Sequence, residues 1–491
     1  MNWQTILLGT LFGFSFPWFI FLHITIVVFF AFRLIWIKRR VSVAIAWALV
    51  VGLLPFIGLI LYLMIGQKPV GVKLTKKIIA IQHHHTHLMS VMQKRYSACY
   101  HSVSPAFQAL SILAASENGS PVTDGNSIEL HTDSEIIFEK FIREIHSAKK
   151  TLYLEFYIWE LGGLANQIAE SLIQAAKRGV KCQVLLDSIG SRQWLNSSWR
   201  LKFQESGILV IEALPIHFFN LPFQRADLRL HRKIFIIDNE VCWTGSMNLV
   251  DPSTFKQELH IGKWVDAMVR LKGPIVTLFE ATFLVDWHLN NPEFTFPTKE
   301  ISKVSRQTEN VLAQEFSSGP VYRDETLYQL LLSAIIDARE TLTIATPYFV
   351  PDDNLVQSLI AAAHRGVKVT LLLPHLNDSI LVKYCSQSFY SGLLTAGIHI
   401  AEFYGGLLHT KFLLIDKRVA IFGSINFDLR SLRLNFETCL LAYDVKFCSS
   451  LDDVAQKYLT ESQFIDPRKW EKRSRWKQLL ENCAYLMSPL L

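Results

Sequence analysis

The chain has 491 residues, half of them hydrophobic, with a mean hydropathy of +0.23 and a formal net charge of only +6. That length implies more than one core. Seven cysteines, at 99, 182, 242, 385, 439, 448 and 483, are scattered, odd in number and without C-x-x-C spacing, which argues against a disulfide framework and against a structural zinc site.

The amino terminus reads as membrane material. No charged side chain occurs from Met1 to Phe32; Arg33 and Lys38-Arg39-Arg40 follow, and residues 41–66 are again uncharged. Each stretch is long enough to cross about 30 Å of hydrocarbon, so residues 1–70 are expected to form two transmembrane helices. A cleaved signal peptide fits poorly, because no basic residue precedes the first apolar run and a second apolar run follows. Trp3, Trp18, Trp36 and Tyr62 suit interfacial anchors, and Pro17 and Pro55 are sites for kinks. Arg33, Lys38, Arg39 and Arg40 in the link balance Lys68, Lys73, Lys76 and Lys77 beyond it, so the positive-inside rule gives no orientation. The unpaired cysteines favour a reducing compartment, hence a multi-pass membrane protein with its catalytic part on the cytoplasmic side.

Residues 71–127 read as a juxtamembrane linker. Within it Gln82-His83-His84-His85-Thr86-His87 is expected to be a polar turn; a metal site is the rival reading, without an acidic or thiol ligand nearby in sequence. Residues 115–127 are rich in turn formers and mark the approach to the catalytic part.

From 128 the chain repeats itself, first over 128–300 and again over 301–465. The first copy predicts a helix over 135–148, a strand over 151–159, a helix over 164–177 and a strand over 180–186. The second predicts a helix over 325–338, a strand over 341–350, a helix over 354–364 and a strand over 367–373. Gly179 and Gly366 stop the second helix of each copy. Alternating strands and helices imply an α/β architecture with mixed sheets.

Each copy carries one motif. The first is His231-Arg-Lys233, then Asp238, then Gly245-Ser246-Met247-Asn248; the second, at identical spacing, is His409-Thr-Lys411, Asp416 and Gly423-Ser424-Ile425-Asn426. Both motifs lie in apolar runs, 234–237 and 412–415, that read as buried strands. Side chains alternate along a strand, so His231 and Lys233 share a face, as do His409 and Lys411, whereas Asp238 and Asp416 have the opposite parity and read as structural. Lysine ammonium groups and the Asn248 and Asn426 amides are suited to phosphate oxygens. Imidazole serves as nucleophile or as acid near neutral pH. Two histidines therefore suffice for phosphoryl transfer, and two copies packed about a pseudo-twofold axis bring both to one seam. Glu258 and Glu437 follow the two histidines at nearly matched offsets and are candidate carboxylates to orient the rings, with ordinary surface glutamates as the alternative.

The paired motifs resemble those of the phospholipase D superfamily. Residues 154–159, the block 245–252, Thr346-Pro-Tyr-Phe-Val-Pro351, residues 405–411, the ending Ser488-Pro-Leu-Leu491 and the amino-terminal segment are similar to bacterial cardiolipin synthases. The resemblance implies two pseudo-symmetric α/β/α halves sharing one active site behind a two-helix transmembrane hairpin, and catalytic motif residues His231, Lys233, Asp238, His409, Lys411 and Asp416. It also implies His231 as nucleophile and His409 as acid/base, an order that the near-symmetric motifs leave open by themselves. The reaction it implies joins two phosphatidylglycerol molecules into cardiolipin and glycerol through a phosphatidyl-histidine, with no metal or organic cofactor and no nucleic-acid partner. The rival is a membrane-bound phospholipase D or a transferase using another alcohol.

Two further segments fit a lipid substrate. Residues 216–229, with Phe218, Phe219, Leu221, Phe223, Arg225 and Arg229, read equally as an interfacial segment or a buried loop. In the tail, 466–491, Arg468, Lys469, Lys472, Arg473, Arg475 and Lys477 surround Trp470 and Trp476, a pattern suited to an anionic bilayer surface or to a solvated basic helix.

Overall fold

The repeat becomes one continuous mixed sheet. The structure is a computed structural model and describes residues 3–37, 41–66, 72–216, 227–291, 305–322 and 325–488. Fifteen strands line up among the described residues, and the centre of the sheet is the antiparallel pair Thr123–His131 and Val311–Ser318, one from each half. Outward from that pair both halves lay down the same series. In the first half it runs Met268–Lys272, Val241–Gly245, Ile234–Ile237, Thr151–Phe156, Lys181–Asp187 and Leu209–Ala213. In the second it runs Glu437–Ala442, Val419–Gly423, Phe412–Ile415, Thr341–Ala345, Lys368–Pro374 and His399–Phe403, with Ser462–Phe464 added at the edge. The motif strands sit mid-way in each series, antiparallel to their hairpin partners; Thr151–Phe156, Lys181–Asp187 and Leu209–Ala213 run parallel, as do Thr341–Ala345, Lys368–Pro374 and His399–Phe403, while the edge strand Ser462–Phe464 is antiparallel.

Helices cover the sheet because their apolar residues recur at helical spacing. In Ser134–Ser147, Ile137, Phe138, Phe141 and Ile145 are buried, and Asp133 caps the first turn by accepting from the N–H groups of Glu135 and Ile136. Phe141 packs edge-on against Phe235 and Trp243, tying this helix to the motif hairpin. The helices Gly163–Lys177 and Asp353–His364 are followed by Gly179 and Gly366 at φ 89° and 92°, conformations that glycine adopts without Cβ strain.

Several expectations change. The strands predicted over 151–159 and 341–350 leave the sheet at Phe156 and Ala345. In the second half the reason is visible: Pro347 has no N–H for a ladder, and the Thr346 hydroxyl closes the turn by donating to the Tyr348 carbonyl at 3.0 Å. The expected linker 71–127 is instead mostly helix, Val72–Arg95 and Pro105–Asn118, and the first strand starts at Thr123 rather than 128. Phe107, Leu110 and Ala114 join the core of the second half. The expected polar turn at 82–87 lies inside Val72–Arg95, where His85 is buried edge-on to Tyr322 with ring centroids 5.4 Å apart. Among the described residues no group of three or more His, Cys, Asp or Glu is gathered closely enough to hold a metal ion.

The amino-terminal unit also differs from two continuous spans. The helix Trp3–Trp36 is followed by Val41–Leu53, a break at Leu54 before Pro55, the helix Pro55–Leu61 and a π-helical turn Tyr62–Gly66. Proline lacks the N–H and crowds the preceding turn, so the second expected span is interrupted there. Among the described residues no helix is long and apolar enough to cross a membrane. Phe30, Leu34, Trp47, Val51 and Tyr62 form this unit's small core, and Phe29, Ile35 and Trp36 are more than two-thirds exposed.

The tail folds as Pro467–Glu471 and Arg475–Leu486, the latter packed along Ile380–Thr395. Arg473 and Lys477 cover the Trp470 ring at 4.7 and 5.4 Å, while Trp476 is 77 % exposed. Of the segment 216–229, Phe218, Phe219, Leu221, Phe223 and Arg225 lie outside the described residues. Arg229 is buried and donates to Asp187 at 3.1 Å.

Candidate active site

Each histidine stands at the mouth of its motif strand and is clamped to the opposite half. The His231 N–H donates to the Phe436 carbonyl at 2.9 Å, and Phe436 returns a bond to Arg229 at 3.0 Å. Leu407–Leu408 pairs in parallel with Trp264–Val265, and the His409 N–H donates to the Val265 carbonyl at 2.9 Å. These short ladders carry one carboxylate from each half across the seam. Glu437 meets His231 Nδ1 at 2.9 Å, and Asp266 meets His409 Nδ1 at 2.6 Å. A serine hydroxyl steadies each: Ser424 donates to Glu437 at 2.5 Å and Ser246 to Asp266 at 2.6 Å. The serines of the two Gly-Ser-x-Asn blocks thus hold the carboxylates that orient the histidines.

The electrostatics fix the proton positions. Burial lowers the basicity of both rings; Glu437 and Asp266 oppose this, and the net result holds His231 below its ordinary value and His409 at about 4. Burial alone would raise the two carboxyls, but the charge and hydrogen bond of the facing histidine, with help from the lysines and serines, hold Asp266 at about 2 and Glu437 below its usual range. Each pair is therefore a neutral imidazole beside an ionised carboxylate. A carboxylate only accepts, so each Nδ1 carries the proton and each Nε2 presents a lone pair.

Lys233 and Lys411 are fully buried, and each donates to the carbonyl of its own histidine at 2.6 Å. Burial brings Lys233 down to about 8 and holds Lys411 well below its ordinary value, each partly offset by Glu437 and Asp266. Asn248 accepts from the Ile158 N–H at 3.2 Å, which leaves its amide donors for another partner; the Asn426 Oδ1 is buried with no hydrogen-bond partner among the described residues. Tyr157 lies 5.1 Å from the His231 ring and Trp264 4.5 Å from the His409 ring, centroid to centroid.

Comparison with known proteins decides the family. The chain matches the family described as "Cardiolipin synthase, PLD-like domain" over residues 141–287 and 331–459, and "Phospholipase_D-nuclease N-terminal" over 25–67. It is 38 % identical to cardiolipin synthase A of Cronobacter sakazakii over 465 residues, covering 94 % of this chain and 95 % of that one. Cardiolipin synthase A of Buchnera aphidicola is also 38 % identical, over 92 % of this chain and 94 % of its own. The chain belongs to the bacterial cardiolipin synthases. As a cardiolipin synthase of the phospholipase D superfamily it is a phosphatidyltransferase. The fold also matches the crystal structure of phosphatidylserine synthase from Haemophilus influenzae, with a TM-score of 0.59 over 78 % of this chain and 98 % of that one at 12 % identity.

Within this cardiolipin synthase the sequence-predicted residues separate. His231, Lys233, Asn248, His409, Lys411, Asn426 and Glu437 gather at the seam. Glu437, expected to serve the histidine of its own half, instead serves that of the other. Glu258 does not orient a ring: it sits in a turn, Gln257–Leu259, with its side chain exposed. Asp238 and Asp416, named in the catalytic motif set, do not touch the histidines. Asp238 accepts from the N–H groups of Lys149, Lys150 and Thr151 at 2.6 to 2.9 Å, and Asp416 accepts from those of Arg339, Glu340 and Thr341 at 2.7 to 3.2 Å. They fasten the motif hairpin to the turn that opens the neighbouring strand.

Asp266, Tyr157, Trp264 and the x residues of the motifs were missed. Arg232 donates to the Glu437 carbonyl at 3.1 Å and is paired with buried Asp286; Thr410 donates to the Val265 carbonyl at 3.1 Å and meets the Tyr458 hydroxyl at 2.9 Å. A signal for Asp266 existed. Aligning the largely apolar segments 267–271 and 438–442, each preceded by an acidic residue, pairs Asp266 with Glu437, whereas counting from the histidines selects Glu258.

Proposed function

We propose that this chain transfers a phosphatidyl group from one phosphatidylglycerol to another, making cardiolipin and glycerol through a phosphatidyl-histidine. The observation that carries the reading is the crossed pair of neutral histidines, each Nδ1 tied to an ionised carboxylate from the opposite half, with a buried lysine bonded to the carbonyl of each. Nε2 of His231 attacks phosphorus, and the phosphate oxygens are taken by Lys233, Lys411, Asn248 and Asn426. His409, protonated at Nε2 when the anionic substrate arrives, gives that proton to the departing glycerol oxygen. The second phosphatidylglycerol then offers a terminal hydroxyl. His409 takes its proton, the new P–O bond forms, and the P–N bond breaks with its electron pair returning to His231. Burial of both rings supports exclusion of water, which would otherwise divert the intermediate to phosphatidic acid.

The amino-terminal unit holds this chemistry at a bilayer of the bacterial inner membrane. Its support is the uncharged run 1–32 together with the exposed apolar side chains of the helix Trp3–Trp36.

The test is a product assay with purified protein and phosphatidylglycerol as sole lipid. Cardiolipin with one glycerol released per molecule formed is expected, and neither product from His231→Ala or His409→Ala. Phosphatidic acid without cardiolipin would make water the acceptor and sink the reading.

A further inference from the structure

A lysine–aspartate pair lies near the His409 ring, its lysine on a segment whose backbone is strained at non-glycine residues. Lys256 and His260 adopt φ of 51° and 53°, conformations that side-chain-bearing residues rarely hold. The Lys256 ammonium is 5.3 Å from the centre of the Trp264 ring, and that ring is 4.5 Å from His409. The ammonium crosses the seam to Asp378 of the second half at 2.9 Å, and Tyr348 donates to the other oxygen of Asp378 at 2.8 Å. Asp378 is close enough for its charge to act on Tyr157, the residue packed on His231. The Lys256 side chain is 34 % exposed, unlike the two buried motif lysines, and the Trp264 indole N–H is buried with no hydrogen-bond partner among the described residues.

The proposed reaction needs such a cluster. An acceptor phosphatidylglycerol brings a second phosphate, separated from its attacking hydroxyl by the three carbons of glycerol, and Lys233 and Lys411 are already taken by the reacting phosphorus. The hydroxyl must reach His409, so the second phosphate must lie on the His409 side of the seam. The central carbon between them carries a free hydroxyl, a donor suited to a carboxylate. We propose that Lys256 and Asp378 form the acceptor-headgroup subsite, Lys256 taking the acceptor lipid's phosphate and Asp378 its central hydroxyl. Lys256 and Asp378 satisfy each other; the acceptor replaces their ion pair with one bond to each. This assignment rests on the phosphatidylglycerol-to-phosphatidylglycerol reading above.

Two assays on the full-length protein separate the subsite from that reading. One measures cardiolipin formed from phosphatidylglycerol. The other measures exchange of labelled free glycerol into phosphatidylglycerol, in which the acceptor carries no phosphate. Lys256→Gln is expected to lower the ratio of cardiolipin formation to exchange at least about tenfold, and Lys256→Arg to restore it. In the exchange assay with wild-type protein, glycerol is expected to outcompete 1,3-propanediol, which lacks the central hydroxyl, by about tenfold, and Asp378→Asn to bring that preference close to one. An unchanged ratio in Lys256→Gln, or an unchanged preference in Asp378→Asn, overturns the corresponding half of the subsite. Wild-type protein that exchanges glycerol yet forms no cardiolipin overturns the underlying reading and the subsite with it.

Discussion

At the scale of single residues the site is governed by what each buried polar atom is given to bond. Glu437→Gln and Asp266→Asn each keep the shape of the side chain but remove the charge that fixes a ring as its Nδ1–H tautomer. Each is expected to cut kcat by about 10²- to 10⁴-fold with little change in melting temperature, read by turnover beside a thermal melt. Asp238→Ala or Asp416→Ala should do the reverse. Three backbone N–H groups lose a charged acceptor, so stability falls by about 2–4 kcal/mol, while the protein that stays folded at low temperature keeps its turnover number. Loss of turnover without loss of stability in Asp416→Ala would return that aspartate to the catalytic set. The histidines also set an acid limit. His409 is held at about 4 when folded and rises to its ordinary 6.5 when unfolded, so between those values the unfolded chain binds a proton that the folded chain does not. Stability is therefore expected to be full above about 6.5 and to fall as pH drops towards 4, with Asp266 and Glu437 adding their own loss only below the unfolded carboxyl values near ~4. Thermal melts from pH 7 to 4 test this, and His409→Gln, which takes up no proton in either state, should flatten the slope.

At the scale of elements the decisive feature is the hairpin that ends in Gly-Ser. Gly423 closes the strand Val419–Gly423 against Glu437–Ala442, and a Cβ there would meet the Thr438 carbonyl at 2.3 Å and the Cys439 Cα at 2.7 Å. Both obstacles are backbone in a central strand, so the strand itself must shift. Gly423→Ala is expected to cost about 1–3 kcal/mol and, because Glu437 opens that strand, to lower kcat at least as much as Glu437→Gln. A melt and a turnover measurement on the same sample decide it. Most elements were legible in the sequence, since apolar periodicity and stop glycines are local signals. The failures were local too. Turn formers at 115–127 concealed a helix end and an early strand, and a run of histidines at 82–87 concealed a helix whose side chains find partners only in the folded chain.

At the scale of the whole molecule the two halves share one sheet and exchange their carboxylates. Each active centre then needs both histidines from one chain. Mixing purified His231→Ala and His409→Ala proteins is expected to restore no activity; recovery to a quarter or more of wild type would mean that sites are completed between chains.

The sequence alone determined the two motif copies, the α/β repeat and the resemblance that named the family, because each is written in spacing along one segment; the motif side chains themselves fall just outside the strands Ile234–Ile237 and Phe412–Ile415, so strand alternation does not set their directions. Only the tertiary structure decided which carboxylate serves which histidine. Asp266 and Glu437 act across the seam, and no periodicity within one half encodes a contact made by the other. The same holds for Lys256 and Asp378, far apart in the chain and joined at 2.9 Å where the halves meet.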